Sequence, residues 1–456
     1  MKKLTPIKAG YVAFGTLYYE PANLKMISER AEKQLEEAGI ILVKTPPVYG
    51  EDKEPERAIS DLKKEEWDFL IVNIINWIDT RGVFRVIRAF KNEPMVLYSF
   101  GGFTDENGTL ISPAAGAGST SLRFPMEQWG IKFTYLFNGP DTSMDVEGIL
   151  KFGRAAQVSK KLEYSRLGMI GFNDMGLYST GYNLTKLRDW IGPEVESVDM
   201  LQLKNEMEKI HKKTLEKEAD RITTDWEYPL GKPKKDVILK AIRMYLATVK
   251  ICEDKKFDTF SYKCVDGVDL EMGLTHAVPS SLVADAGYPY VDENDLGNSV
   301  AQLMLKLISG QQVTFLEHYE HHQDWILLGE DGYCPSDFID GKPQIKDVST
   351  VLLDGIAHCS NFKKGRMTLA CLSETLDGYR MHIVTGVGNE RPQWVEMGVP
   401  LPPWPSVSFY PDSTVRSILD NVQSQHFAAV FGNYVEELIH LCYLLDIDVV
   451  LDASLE

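Results

Sequence analysis

Residues 288–317 begin Tyr288-Pro289-Tyr290-Val291-Asp292-Glu293-Asn294-Asp295-Leu296, pass through an apolar repeat to Ile308-Ser309-Gly310, and close on Gln311-Gln312-Val313-Thr314-Phe315-Leu316-Glu317. Two short apolar runs, 289–291 and 313–316, follow glycine turns at Gly287 and Gly310, and both predict buried strands. Between them Leu296, Val300, Leu303, Met304, Leu307 and Ile308 recur at helical spacing, while Asn298, Ser299, Gln302 and Lys306 take the other face. That pattern predicts an amphipathic helix with Asp295 as its N-cap. A strand, a helix and a strand with short links predict two parallel strands joined by a right-handed crossover. Glu293 and Glu317 then leave one sheet at its carboxyl edge, where open parallel sheets bind ligands.

An isolated glutamate at a strand end is ordinarily a solvated residue. Two at matched positions, amid Asp292, Asp295, His318, His321 and His322, point instead to a paired-carboxylate site. Two carboxylates with a histidine form a hard, oxygen-rich donor set with one nitrogen, suited to Mn²⁺ or Mg²⁺ rather than to a thiolate-rich zinc centre. A metal held that way chelates adjacent oxygens of a polyol or hydroxy-carbonyl and acidifies the hydrogen between them. A neighbouring carboxylate can take that proton. The chemistry expected is aldose–ketose isomerisation without an organic cofactor.

Working outward, residues 1–162 alternate strand signals (8–15, 40–43, 69–75, 95–100, 132–137) with helical patterns, the mark of a doubly wound parallel sheet. A second α/β segment, 163–344, opens on a strand at 166 and includes a strand at 259–265 and the glutamate unit. After 345 the character changes to short strands broken by glycine and proline (366–372, 379–386, 394–397, 406–410), an amphipathic helix at 434–445 and a last strand at 448–451. The fold class expected is therefore α/β: two doubly wound parallel-sheet domains, 1–162 and 163–344, followed by a C-terminal antiparallel β-barrel-like domain, 345–456.

With 456 residues, 44% hydrophobic and 25% charged, the chain has the composition of an ordinary globular protein of two or three domains. No apolar run approaches the roughly 18 residues of a membrane span, and the N-terminus lacks the apolar core of a secretory signal. A formal net charge of −18 argues against nucleic acid as a partner. The six cysteines show no CxxC spacing, which predicts a reduced, cytoplasmic protein without structural zinc. There is no GxGxxG after a strand, no Walker lysine and no GxSxG elbow, so nucleotide-dependent dehydrogenase and serine hydrolase chemistry lack their usual support.

The string 292–310 followed by Gln312-Val313-Thr314-Phe315-Leu316-Glu317 resembles the metal-site region of the L-fucose isomerase and L-arabinose isomerase superfamily. Fucose isomerases carry a Glu-Asn-Asp triplet before the helix and an acidic residue at the end of the next strand, 24 positions on, as Glu317 stands from Glu293. Phe315-Leu316-Glu317-His318-Tyr319-Glu320-His321-His322 is similar to the corresponding arabinose isomerase string, and His322 falls on its histidine. The resemblance implies that Glu293 and Glu317 are metal ligands and proton-transfer groups. It also implies that His426, in Ser424-Gln425-His426-Phe427, is the third ligand, although taken alone His426 reads as a packed or surface imidazole. Leu328-Gly329-Glu330-Asp331-Gly332-Tyr333-Cys334-Pro335 carries no histidine where arabinose isomerases have a further ligand, which is nearer the three-ligand fucose isomerase pattern.

By that resemblance the chain is expected to be an Mn²⁺-dependent isomerase of an aldose or deoxyaldose, with Mg²⁺ or Co²⁺ as alternatives. It is expected to form a homo-oligomer, trimer or homohexamer, whose pocket is shared between subunits. Lys263, Asp266 and Glu271, in a loop at a strand end, are candidates to touch sugar hydroxyls, with loop solvation as the alternative. Trp77 is a candidate to stack on the sugar, with core or interface packing as the alternative. A metal-dependent epimerase or aldolase, or a catalytically inactive sugar-binding protein, are the competing readings.

Overall fold

The computed structural model describes residues 4–50, 53–399 and 401–455, which form two compact units, Leu4–Lys160 and Lys161 onward. In the first, strands β1 (Lys8–Phe14), β2 (Ile41–Lys44), β3 (Phe69–Ile74), β4 (Met95–Ser99) and β5 (Phe133–Phe137) lie in the order β2-β1-β3-β4-β5. Every pairing is parallel. Strands β3 and β4 are buried along their whole length, as expected where helices cover both faces of a parallel sheet.

The second unit contains a smaller parallel sheet and a barrel. Strands β6 (Arg166–Ile170), β7 (Glu194–Val198), β8 (Thr259–Tyr262) and β9 (Tyr290–Val291) pair in the order β9-β8-β6-β7, again all parallel. The barrel is built from β10 (Thr314–His321), β11 (Ile326–Gly329), β12 (Gly365–Glu374), β13 (Tyr379–Asn389), β14 (Ser406–Pro411) and β15 (His426–Phe431). Its order is β12-β15-β10-β11-β14-β13, closed by β13 on β12, with every pairing antiparallel. A final strand, β16 (Asp448–Asp452), adds in parallel to β13. The α/β architecture with two parallel sheets and a C-terminal antiparallel barrel is thus the one expected. Among the described residues no helix is long and apolar enough to cross a membrane.

Three local expectations are corrected. The strand carrying Glu317 is not the parallel partner of the strand before Glu293: β9 ends the parallel sheet, whereas β10 enters the barrel and pairs antiparallel with β11 and β15. The crossover rule assumes that both strands share a sheet, and these do not. Residues 394–397 form no strand, and Trp394 instead packs its ring 5.0 Å from that of Tyr319. The helix Leu296–Ser309 has no wet face over its first turns, because Asn298, Ser299 and Gln302 are as buried as Val300 and Leu303. It lies between the parallel sheet and the barrel, so polar groups that would otherwise face water are buried and only partly paired: Asn298 Nδ2, Ser299 Oγ and Gln302 Oε1 have no hydrogen-bond partner. Gln302 Nε2 donates to the Tyr290 carbonyl at 2.7 Å and to Asn298 Oδ1 at 3.0 Å.

The helix begins as predicted, with Asp295 Oδ1 accepting from the Asn298 amide at 3.0 Å, and stops at Gly310 in the left-handed region. Gly297 is required by close approach: a Cβ there would stand 1.8 Å from Tyr182 Oη and 2.3 Å from the Leu372 carbonyl oxygen of β12. Strand alternation assigns the faces of β10. Leu316 points into the barrel core with Leu328, Leu369, Val407 and Phe427, while Phe315 points outward into the aromatic core of the parallel sheet, with Phe260, Tyr262, Tyr290 and Tyr333. By the same alternation Glu317 follows Phe315 on the outer face, and His426 precedes the inward-pointing Phe427 on β15.

Candidate active site

Glu317 and His426 are direct partners across the β10–β15 ladder, so their side chains stand together on the outer wall of the barrel. Nε2 of His426 lies 3.1 Å from Glu317 Oε1 and 3.6 Å from Glu293 Oε2. One ligand atom from each of the three residues falls within 4.8 Å of the others. Glu293 reaches this point from the parallel sheet by an unusual turn. Directly after β9, Glu293 and Asn294 both take left-handed backbone conformations, with φ of 62° and 54°. For a non-glycine residue such a conformation costs on the order of 1–3 kcal/mol, a strain found where side-chain placement matters. The turn is held by Asn294, whose amide nitrogen donates to the Tyr262 carbonyl and whose Nδ2 donates to the Phe172 carbonyl at 2.8 Å.

The imidazole of His426 is fully buried and fixed on both ring nitrogens. Nδ1 lies 2.9 Å from Asp295 Oδ2, so the residue that caps the helix through one oxygen orients the histidine through the other. A carboxylate behind a histidine in this way fixes the ring and makes its outward nitrogen a better donor. Phe315 packs edge-on against the ring at 5.2 Å. Gln425 Nε2 donates to Glu293 Oε2 at 2.9 Å, while its Oε1 accepts from Ser179 Oγ at 2.9 Å.

Electrostatics follow from this crowding. Burial raises the Glu293 carboxyl to about 7, with Asp292 and Glu317 adding repulsion and His426 opposing both. Burial works against a charge on His426, but its hydrogen bonds to Asp295 and Glu317 prevail and hold the imidazole well above its ordinary value. Two carboxylates and a doubly anchored imidazole, one donor atom from each converging, suit a hard divalent cation.

The other candidates are distributed differently. Lys263 immediately follows β8, half-buried, with Nζ 3.5 Å from Asp266. It opens a π-helical segment, Cys264–Glu271, an element rare enough to mark functional sites. Asp174, fully buried, secures that segment by accepting from the amides of Val265 and Asp266 at 2.8 and 2.9 Å. Asp266 in turn accepts from the Met175 amide at 3.1 Å, and Glu271 is exposed at the far end. His322 sits in the β10–β11 hairpin turn, stacked on Trp325 at 3.7 Å, about 16 Å along the strand from Glu317 at the usual rise. Trp77 is exposed in the first unit. Sequence patterns did not indicate Gln425 or Asp174, and they identified Asp295 as a cap and as one of the acids around the glutamate pair, not as the acceptor behind His426. The single signal for its second role is its place two residues after Glu293.

No family model matches the chain. Among curated proteins it is similar to the sulfoquinovose isomerases of Priestia aryabhattai and Priestia megaterium, each 19% identical over 404 residues and covering 86% of both chains. A sulfoquinovose isomerase of Alkalicoccus urumqiensis is 18% identical over 330 residues, 70% of this chain and 72% of that protein. Among solved structures, a carbohydrate transporter from Acidothermus cellulolyticus in complex with myo-inositol matches at 11% identity over 68% of this chain and 89% of that one. The TM-score of that match is 0.18. The relationship these comparisons support is to sugar isomerases, at low identity over most of the chain.

Proposed function

We propose that this chain is a divalent-metal-dependent isomerase interconverting an aldose and its ketose through an enediolate. The observation that carries the reading is the convergence of Glu293, Glu317 and His426, from two separate sheets, with Asp295 locked behind the histidine. The similarity to sulfoquinovose isomerases over most of the chain supports the same reaction class. Glu293, Glu317 and His426 Nε2 would hold the ion, Mn²⁺ with Mg²⁺ or Co²⁺ as alternatives. Once bound, it supplies Lewis-acid polarisation of the sugar's carbonyl and hydroxyl oxygens. Glu317, the more exposed of the two carboxylates, takes the proton from C2 and returns it to C1. Glu293, held by Gln425, serves the hydroxyl proton that moves between O2 and O1. His426 stays fixed by Asp295 and keeps the two carboxylates in place.

The substrate is an aldose or deoxyaldose, fucose- or arabinose-like in the reading from sequence and sulfoquinovose in the named relatives. Lys263 and Asp266 lie on the segment after β8 that would meet its hydroxyls. Exposed Phe172, Met175 and Tyr178 lie on the loop anchored by Asn294 and Asp266, and offer an apolar rim against which a second copy in a trimer or hexamer would complete the pocket. All six cysteines are free thiols, in keeping with a cytoplasmic enzyme.

Incubating the Mn²⁺-loaded protein in D₂O with L-fucose, L-arabinose and sulfoquinovose tests the reading by NMR. Ketose formation with deuterium at C2 of the recovered aldose is expected for at least one sugar. Exchange without ketose would replace isomerase by epimerase chemistry, and tight binding without exchange would indicate a binding protein.

Asp295→Asn isolates the positioning of His426. Asparagine caps helices about as well as aspartate, so the melting midpoint should stay near that of the parent protein. Loss of the charged acceptor behind Nδ1 should weaken Mn²⁺ binding by about 10–100-fold in a calorimetric titration. An unchanged affinity would remove Asp295 from the site.

A further inference from the structure

Asp292, the residue before Glu293, belongs to a second convergence of donors. Ligand atoms of Asp292, Glu330 and Asp331 lie within 4.8 Å of one another. Nε2 of His276 stands 3.3 Å from Asp292 Oδ1 and 3.7 Å from Asp331 Oδ1. Three elements deliver these groups: the end of β9, the segment after β11, and the N-cap of the helix Ala277–Asp285.

One of the four side chains lacks the partners that burial demands. Glu330 is 1% exposed and neither of its carboxylate oxygens has a hydrogen-bond partner, while the buried His276 meets only Asp292 and Asp331 through Nε2, as ion-pair contacts. A buried carboxylate without a partner is costly as an anion, and protonating it would remove the charge while still leaving its polar atoms unmatched. A cation resolves both difficulties at once. Two of the donors are braced from behind, since His276 Nδ1 lies 3.1 Å from Asp269 Oδ1 and Tyr290 Oη donates to Asp292. The carboxylate behind His276 repeats the Asp295–His426 arrangement and aims Nε2 at the cluster.

We propose that His276 Nε2 and the carboxylates of Asp292, Glu330 and Asp331 bind a second divalent cation, next to the one assigned to Glu293, Glu317 and His426. One imidazole nitrogen with three carboxylates is a hard donor set that suits Mn²⁺ or Mg²⁺. The Cys264 thiol also lies within 4.8 Å of His276 and Asp292, but it donates to Asp174 at 3.4 Å and accepts from the Glu293 amide at 3.2 Å, and the hard cation proposed here favours the carboxylates over a thiol. Because Asp292 and Glu293 are consecutive, an ion here would neutralise the acids around the strained turn and fix the direction in which Glu293 points.

The count of two ions rests on the reading of the first site, and the experiment separates them. The full chain, stripped by chelation, is titrated with Mn²⁺ by calorimetry and equilibrium dialysis, with electron paramagnetic resonance to detect coupling between neighbouring ions. The unmodified chain should bind two ions with a spin-coupled spectrum. Glu330→Gln should bind one without coupling, and so should Asp331→Asn, whose half-exposed side chain can change without disturbing the packed core. Glu317→Gln should also retain one ion. A single ion lost in Glu317→Gln but kept in Glu330→Gln and Asp331→Asn would overturn the second site and leave the first standing. A single ion lost in Glu330→Gln but kept in Glu317→Gln would instead overturn the first.

Discussion

Glu317→Gln should reduce turnover by about 10⁴-fold, the upper end of what a single general acid–base group contributes, because this side chain is assigned both the C2 proton and a place in the metal's donor set. Glutamine keeps the shape of glutamate but cannot take a proton from carbon, and it offers a neutral oxygen to a cation. The fold should survive, because Glu317 keeps its ladder position opposite His426 and its side chain is partly exposed. Ketose production under saturating Mn²⁺, with circular dichroism as the control for folding, measures the effect. Activity within tenfold of the parent protein would defeat the proposed chemistry. The same variant in the D₂O experiment should show no deuterium at C2, since proton abstraction precedes ketose formation.

Phe315→Ala should destabilise the second unit by about 3–5 kcal/mol, the usual range for deleting a buried aromatic ring from a packed core. Phe315 is fully buried, stacks on Tyr333 with centroids 5.1 Å apart, meets Tyr290 at 6.0 Å and His426 at 5.2 Å. It is a barrel residue whose side chain completes the core of the parallel sheet, so its loss loosens the joint between them. A melting midpoint lowered by roughly 5–8 °C is expected for a unit of this size. Phe315→Leu, which retains much of the volume, should cost less than about 1.5 kcal/mol. Equal, small shifts for both variants would show that the ring does not hold the two layers together.

Much of the architecture was legible in local patterns. The buried strands of the first sheet are continuous apolar runs between glycine and polar turns, which only a sheet covered on both faces accommodates, and β1, β3 and β4 appear where those runs lie. Strand β7 was not legible, because Glu194-Val195-Glu196-Ser197-Val198 lies at the sheet edge and its two glutamates answer Arg166 across the ladder rather than a core. Strand β15 was hidden as well. His426-Phe427-Ala428-Ala429-Val430-Phe431 reads as a strand only once β10 and β12 are present on either side to pair with it.

The sequence by itself determined which residues of the site are exceptional: two glutamates flanking one helix, and an aspartate placed to cap it. It determined the helix limits too, since capping and a glycine stop are local chemistry. Only the tertiary structure decided that these glutamates meet across two different sheets. Hydrophobic period 2 shows that a strand is buried without showing what buries it, and the choice between a parallel neighbour and a barrel wall rests on contacts more than a hundred residues away. The pairing of β10 with β15 turned His426 from an ambiguous imidazole into the cross-strand partner of Glu317, and gave Asp295 its second task.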